Sequence, residues 1–264
     1  MTIRLSCAFL TSALSLVATG AQAQDDLAKK LVNPVAELIS VPLEYNYDRQ
    51  FGTARDGHRS LMNVQPVTPF GLNDEWNIIS RTIVPIISQT DVRPGTSPAG
   101  IGDIKQSLFF SPRTLGPSGA IWGVGPVFYL PTGTDSQLSA RKWGGGPTAV
   151  VLMQDGHWTY GALVNHIWAA GGNANRRNIS STYLQPFVAY TTKEAWTFAV
   201  NTESSYDWKA KQWSVPINVT VGKLLFLGKQ PVNLTAGLRY WAEGPNAGPH
   251  NLGFRLSANF LFPK

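Results

Sequence analysis

Gly253-Phe254-Arg255-Leu256-Ser257-Ala258-Asn259-Phe260-Leu261-Phe262 is the stretch whose reading decides the fold. Phe254, Leu256, Ala258, Phe260 and Phe262 fall on one face of an extended chain, and Arg255, Ser257 and Asn259 fall on the other. Successive side chains of a β-strand point to opposite faces, so this strand has one apolar and one wet side. In a soluble sandwich the apolar side would meet a core. Here the strand lies at the end of the sequence and finishes in aromatics, with Pro263 and Lys264 after it.

The same alternation recurs upstream. Ile39, Val41, Leu43, Tyr45 and Tyr47 alternate with Ser40, Pro42, Glu44, Asn46 and Asp48. Met62 to Phe70 and Ile78 to Ile86 follow, the latter with Arg81 on its polar face. Ile104, Gln106, Leu108 and Phe110 oppose Asp103, Lys105, Ser107 and Ser111. Further runs span Trp122 to Leu130, Pro147 to Met153, Trp158 to Trp168, Thr182 to Tyr190, Trp196 to Tyr206, Trp213 to Val221 and Val232 to Ala242. With the last strand this makes twelve, an even number, which returns both ends of a closed barrel to one side. The final strand resembles the closing strand of bacterial outer-membrane β-barrels, in which an aromatic near the C-terminus is read by the insertion machinery.

The connections sort by parity. Alternate ones hold 4, 9, 3, 4 and 5 residues, and the others hold 10, 12, 15, 10, 6 and 8. Outer-membrane barrels have short periplasmic turns and longer external loops, whereas a sandwich has no reason for the pattern. Tryptophans mark both ends of the strands. Trp76, Trp122, Trp158 and Trp196 follow short turns, while Trp143, Trp168, Trp208, Trp213 and Trp241 sit near long loops. Two aromatic girdles at the two membrane interfaces account for this placement.

Composition agrees. Charged residues make up only 14% of the chain and hydrophobic ones 43%, against a usual charged quarter. No internal run approaches the roughly 18 apolar residues of a transmembrane helix. Residues 1–23 read as a secretory signal peptide, with Arg4 as its basic start, a largely apolar Ala8–Ala18 and an Ala21-Gln22-Ala23 cleavage site. The single cysteine, Cys7, lies within it, so no disulfide framework is expected. Residues 24–36 have a short helical period ended by Pro34 and are expected to form a periplasmic segment, as a cap or an inward-folded plug. The barrel is expected over residues 37–264.

Repeats are faint. Val64-Gln65-Pro66-Val67, Val124-Gly125-Pro126-Val127 and Leu184-Gln185-Pro186-Phe187 recur at intervals of 60 residues. Proline removes a ladder donor and is normally excluded from central strands. Yet Pro42, Pro66, Pro85, Pro126, Pro186 and Pro216 all fall inside strands and read as sharing one phase, which points to bulges or bends in the wall.

Several phrases resemble a bacterial outer-membrane family named for the phenol meta-cleavage pathway (MetA), some of whose homologues carry the label "neuromedin U". They are Leu27-Ala28-Lys29-Lys30-Leu31-Val32-Asn33-Pro34, Asn63-Val64-Gln65-Pro66, Ser80-Arg81-Thr82-Ile83-Val84-Pro85, Gly102-Asp103, Trp122-Gly123-Val124-Gly125-Pro126, Gly161-Ala162-Leu163-Val164-Asn165-His166 and Leu184-Gln185-Pro186-Phe187. The resemblance runs from about Asp25 to Lys264. It implies an outer-membrane barrel that transports small molecules, similar to hydrophobic-compound channels of the fatty-acid-transporter type. It brings no catalytic or binding positions with it.

The polar faces carry Glu44, Arg81, Asp103, Lys105, Glu203, Arg239, Glu243 and Arg255. A charge on the lipid face costs roughly 2–4 kcal/mol at the midplane, so these residues are expected to line the lumen. They could pair and fill the barrel, or form a selective polar track. Closure of the barrel brings the first and last strands together, and with them Glu44 and Arg255.

Three functions follow as expectations. The first is a porin-like channel for small hydrophobic or aromatic molecules. The second is a structural barrel with a filled lumen that interacts with lipopolysaccharide. The third is an outer-membrane lipid hydrolase, for which His166, Ser204 and Ser205 lie at similar height near the outer end. No G-x-S-x-G elbow supports an enzyme. His58, His157, His166 and His250 are scattered singly, so neither a metal site nor a cofactor is expected. The net charge is +6, with Arg49, Arg55, Arg93, Arg141, Lys142, Arg176, Arg177, Lys209 and Lys211 in the long loops. Outside a cell these suit outer-membrane lipids and anionic lipopolysaccharide rather than nucleic acid.

Overall fold

Alternating apolar and polar side chains require a sheet with one dry and one wet face, and closing that sheet on itself leaves no unpaired edge in lipid. The computed structural model describes residues 27–262. It is a closed antiparallel β-barrel of twelve strands with one short helix, residues 27–32. The signal peptide, its cleavage after Ala23, and Cys7 lie outside the described residues.

In chain order the strands are β1 (Ile39–Phe51), β2 (Gly57–Val64 and Val67–Gly71), β3 (Trp76–Thr90), β4 (Ala99–Ile101 and Ile104–Pro112), β5 (Ile121–Leu130) and β6 (Lys142–Asp155). They continue as β7 (Trp158–Gly172), β8 (Ser180–Thr191), β9 (Trp196–Thr202 and Ser204–Asp207), β10 (Gln212–Leu227), β11 (Gln230–Glu243) and β12 (Asn251–Phe262). Each strand pairs with its sequence neighbours, and β12 closes the ring on β1 from Ile39↔Phe262 to Tyr47↔Phe254.

The turns on the side of the chain ends hold 4, 8, 2, 4 and 2 residues, against 5, 8, 11, 7, 4 and 7 on the other. The sorting by parity persists, but its contrast is smaller than the sequence suggests. The strands climb beyond the apolar alternation, as β1 does to Phe51 and β7 to Gly172. Two of the tight turns begin with Gly156 (φ 55°) and Gly228 (φ 63°), the position where two-residue hairpins favour glycine.

The outer face carries an apolar belt. Phe198, Val200, Val219, Leu234, Leu238, Leu252, Phe254 and Leu256 are all exposed. Aromatic pairs edge it. Trp76 meets Trp122 edge-on at 5.8 Å and Trp158 meets Tyr190 at 5.0 Å near the short turns. At the other end Tyr206 lies 4.9 Å from Trp208 and 5.0 Å from Trp213. Trp241 is not part of that girdle. It turns inward, and its indole Nε1 donates to Asp48 Oδ1 at 2.7 Å.

The strand prolines have a physical account. β2 breaks at Gln65-Pro66, β4 breaks at Gly102-Asp103 opposite Pro85, and β9 breaks at Glu203 between Pro186 and Pro216. Pro126 pairs with Pro147 beside a gap in the β4–β5 ladder. There the neighbouring glycines are needed for space. A Cβ at Gly125 would collide with the Leu108 carbonyl, and one at Gly146 with that of His166. The prolines do not share one phase: Pro42 and Pro85 line internal cavities, whereas Pro186 lines a groove in the outer wall.

Candidate functional site

The lumen has two unlike walls. On β1, β9, β11 and β12 the inward charges form one ion-pair network. Arg255 donates to Glu203 from both terminal nitrogens, at 2.8 and 2.7 Å, and from Nε to Asn46 Oδ1 at 2.8 Å. Its Nη1 also lies 3.3 Å from Glu44. Arg239 donates to Glu203 Oε2 at 2.9 Å and to Asn218 Oδ1 at 3.1 Å. Arg239 Nε sits 3.2 Å from Asp48 Oδ1 but makes no hydrogen bond, so that contact is coulombic. The Arg239 guanidinium also stacks 4.9 Å from the Trp241 ring.

This arrangement follows from register. Asn46 pairs with Arg255 across β1–β12, and Asn218 pairs with Arg239 across β10–β11. Two guanidiniums thus converge on Glu203, which sits at the break in β9. Forked donors match carboxylates well, and the pairing offsets the desolvation of so many charges.

The remaining sequence-derived residues fall differently. Asp103 is buried and accepts from the backbone amides of Gly133, at 3.0 Å, and Ala140, at 2.6 Å. It organises the loop between β5 and β6 while lining the lumen. Arg81 donates to Gln65 Oε1 at 2.8 Å. Lys105 lies over the Tyr183 ring at 5.8 Å. Glu243 does not line the lumen cavities; as the last residue of β11 it is exposed at the rim. Lys142, grouped above with the loop charges, is buried at the start of β6. Asp48, Asn46, Asn218 and Trp241 complete the network. Asp48 and Asn46 share the inward parity of Glu44, which is the signal that could have found them.

The opposite wall, on β3, β4, β6 and β7, is apolar near the short turns. Ile79, Phe109, Val150, Leu152 and Leu163 cluster there, and Val35 packs against them. A second cluster seats the helix: Ala28, Ala36 and Leu38 pack on Ala195, Leu224 and Leu261, with Leu27 and Leu31 beside them. The N-terminal segment therefore folds into the barrel rather than lying outside it. Gln154 Nε2 donates to the Lys29 carbonyl at 3.0 Å, and Asn77 Nδ2 donates to Glu37, which lies 3.8 Å from Arg113.

Three internal cavities stack along the barrel. An outer one of about 490 Å³ lies among Arg93, Arg176, Arg177 and Asp207. A central one of about 510 Å³ shares Ala140, Ile179 and Ser181 with it. An inner one of about 230 Å³ shares Gln65 and Arg81 with the central cavity and is bounded by residues 30–34 of the N-terminal segment.

On the outer wall, His166 does not meet Ser204 or Ser205. Ser204 bonds to Thr202 at 2.6 Å, and Ser205 lines the lumen. His166 Nδ1 instead lies 2.7 Å from Thr182 Oγ1, and its Nε2 lies 3.5 Å from Ser180 Oγ.

The fold has solved counterparts. The COG4313 outer membrane channel from Pseudomonas putida F1 superposes with a TM-score of 0.66 at 15% identity, over 86% of this chain and 96% of that one. The NanC porin gives 0.50 at 13% identity, over 86% and 100%. Outer membrane phospholipase A from Escherichia coli gives 0.50 at 11% identity, over 86% and 92%. No family model and no curated protein matches the sequence. The chain is thus an outer-membrane β-barrel by fold.

Proposed function

We propose that this barrel is a channel that passes small molecules with an apolar or aromatic body across the outer membrane, with the N-terminal segment as its inner gate. One observation carries the reading: the three cavities share lining residues from the outer loops down to residues 30–34. The central cavity joins the ion-pair network to Leu61, Ile83, Ile87 and Ile167, which suits an apolar solute that still needs a polar track. The likeness to the P. putida channel and the NanC porin supports it. Membership of the phenol meta-pathway family belongs to the same proposal, as does the absence of enzyme activity. We assign lipopolysaccharide contact to the basic residues at the outer rim, including Arg49 at the end of β1 and Arg55 in the loop after it.

The test is single-channel conductance of the refolded mature chain in planar bilayers, with and without residues 24–36. Conductance that appears or widens on truncation is the expected result. Silence in both forms would sink the channel and favour the filled, structural barrel.

A second reading has a specific observation behind it. Ser180, His166 and Thr182 line up on the outer wall, and a phospholipase shares the fold. Hydrolysis of phospholipid by the purified protein, abolished in Ser180→Ala, would establish an enzyme. Equal background rates in both proteins are expected.

A further inference from the structure

We propose that Arg81 and Lys105 form a carboxylate-binding subsite in the central cavity, which selects monoanions with an apolar or aromatic body. The proposal rests on the channel reading and names its substrate class.

The charges of the central cavity are unevenly matched. Its carboxylates are all engaged. Glu203 accepts from Arg239 and Arg255, Glu44 is held by Arg255 and by the Asn46 amide at 3.0 Å, and Asp103 is held by two backbone amides. Two cations are not. Among the described residues, the only side-chain hydrogen-bond partner of Arg81 is the neutral Gln65, and Lys105 has only the edge of cation–π range to Tyr183, at 5.8 Å. Neither lies within ion-pair distance of a described carboxylate, although both border the cavity that contains three.

Register puts them together. Arg81 pairs with Ser107 and Ile83 with Lys105 across β3–β4. Arg81 and Lys105 are therefore diagonal neighbours on the same inward face, a separation that long side chains span. Charged side chains held inside a barrel without a counter-charge favour an anion, and a guanidinium beside an ammonium offers fork and point-charge donors to one carboxylate. Both cations lie on the wall of the cavity that also carries Ile83 and Ile87, with Leu61 next to it on β2 and Tyr129 beside Lys105 on β5. A carboxylate seated between Arg81 and Lys105 leaves its ring or short alkyl chain against these residues. An uncharged analogue keeps the apolar contacts and forgoes the two charged donors.

The experiment is calorimetric titration of the full mature chain in detergent with benzoate and, separately, with benzyl alcohol. The unmodified protein is expected to prefer benzoate. The double variant Arg81→Gln/Lys105→Gln is expected to bind benzoate at least tenfold more weakly, with benzyl alcohol unchanged within twofold. Heat-modifiable gel mobility reports that the barrel has formed. The charge-retaining pair Arg81→Lys/Lys105→Arg, which is expected to keep the benzoate preference, guards against loss through misfolding. Equal benzoate binding by the unmodified protein and the neutral double variant, or no preference for benzoate over benzyl alcohol in the unmodified protein, overturns the subsite. Conductance measured on the same preparation is a separate readout. Its absence would remove the channel reading while a charge-dependent benzoate preference would still stand.

Discussion

The two walls of the lumen solve the same problem in opposite ways. Both must fill the inside of a barrel whose outside faces lipid. The wall made by β1, β9, β11 and β12 fills its half with its own side chains, tied by Arg239 and Arg255 to Glu203, Glu44 and Asp48. The wall made by β3, β4, β6 and β7 leaves an apolar hollow near the short turns, and the chain's N-terminal segment enters it through Val35. The first filling is part of the wall and can leave only if strands part. The second is a short segment that, in the proposed channel, would leave while every ladder stays intact. The ion-pair network and the seat of Val35 thus lie on different sides of the lumen, while the helix itself packs on Ala195, Leu224 and Leu261.

That contrast breaks first at Arg255. The side chain is only 5% exposed and reaches two carboxylates and one amide. Arg255→Gln leaves Glu44 without its cation and Glu203 with Arg239 alone. Removing one partner from a buried ion pair costs about 3 kcal/mol or more, because the surviving charge stays desolvated. A marked fall in the denaturant midpoint of the detergent-solubilised barrel is expected, with tryptophan fluorescence as the probe. Reversals sharpen the test. Glu44→Arg combined with Arg255→Glu should be more stable than Arg255→Glu alone, though short of the unmodified protein because residue 255 also serves Glu203. Equal stability of double and single would mean that the 3.3 Å contact with Glu44 contributes nothing.

How much of this the sequence discloses differs between the two walls. The period of two places each inward residue on its face, so the twelve strands and the closure of β12 on β1 are legible from the alternation. The same rule puts Glu44, Arg255 and Arg239 inside, and closure alone brings Glu44 to Arg255. It also puts Asp48 on the inward face, but Asp48 ends the visible alternation, and only the continuation of β1 to Phe51 shows it to be a wall residue and not the start of a loop. Trp241 and Glu243 mislead because height along the strand is a weaker guide than parity. Trp241 sits at girdle height but on the inward face, and Glu243 has inward parity but lies beyond the cavity. The apolar wall is harder. Ile79 and Phe109 face each other across β3–β4, Leu152 and Leu163 sit on the β6–β7 hairpin, and no pairing in the chain joins these two sets, while Leu224 and Leu261 look like parity exceptions until the helix that covers them is placed. Nothing local in a sequence records a contact across a lumen.

A smaller effect on stability, with a larger one on function, is expected at Val35. This residue is 5% exposed and packs among Ile79, Phe109, Leu152 and Leu163. Val35→Asp would bury a carboxylate with no cation in that cluster. Such a charge costs several kcal/mol if it stays desolvated, so the segment is expected to leave its seat instead. The barrel loses little by this, because its ladders and its ion-pair wall are untouched. The unfolding midpoint should move far less than in Arg255→Gln, while single-channel conductance should rise to that of the chain lacking residues 24–36. Local openings of this kind draw on the free energy of one seat and not on that of the whole fold. If Val35→Asp instead lowers the midpoint as much as Arg255→Gln and leaves conductance unchanged, the segment is a fixed part of the barrel's core. The division of the lumen into a permanent wall and a removable one would then be wrong.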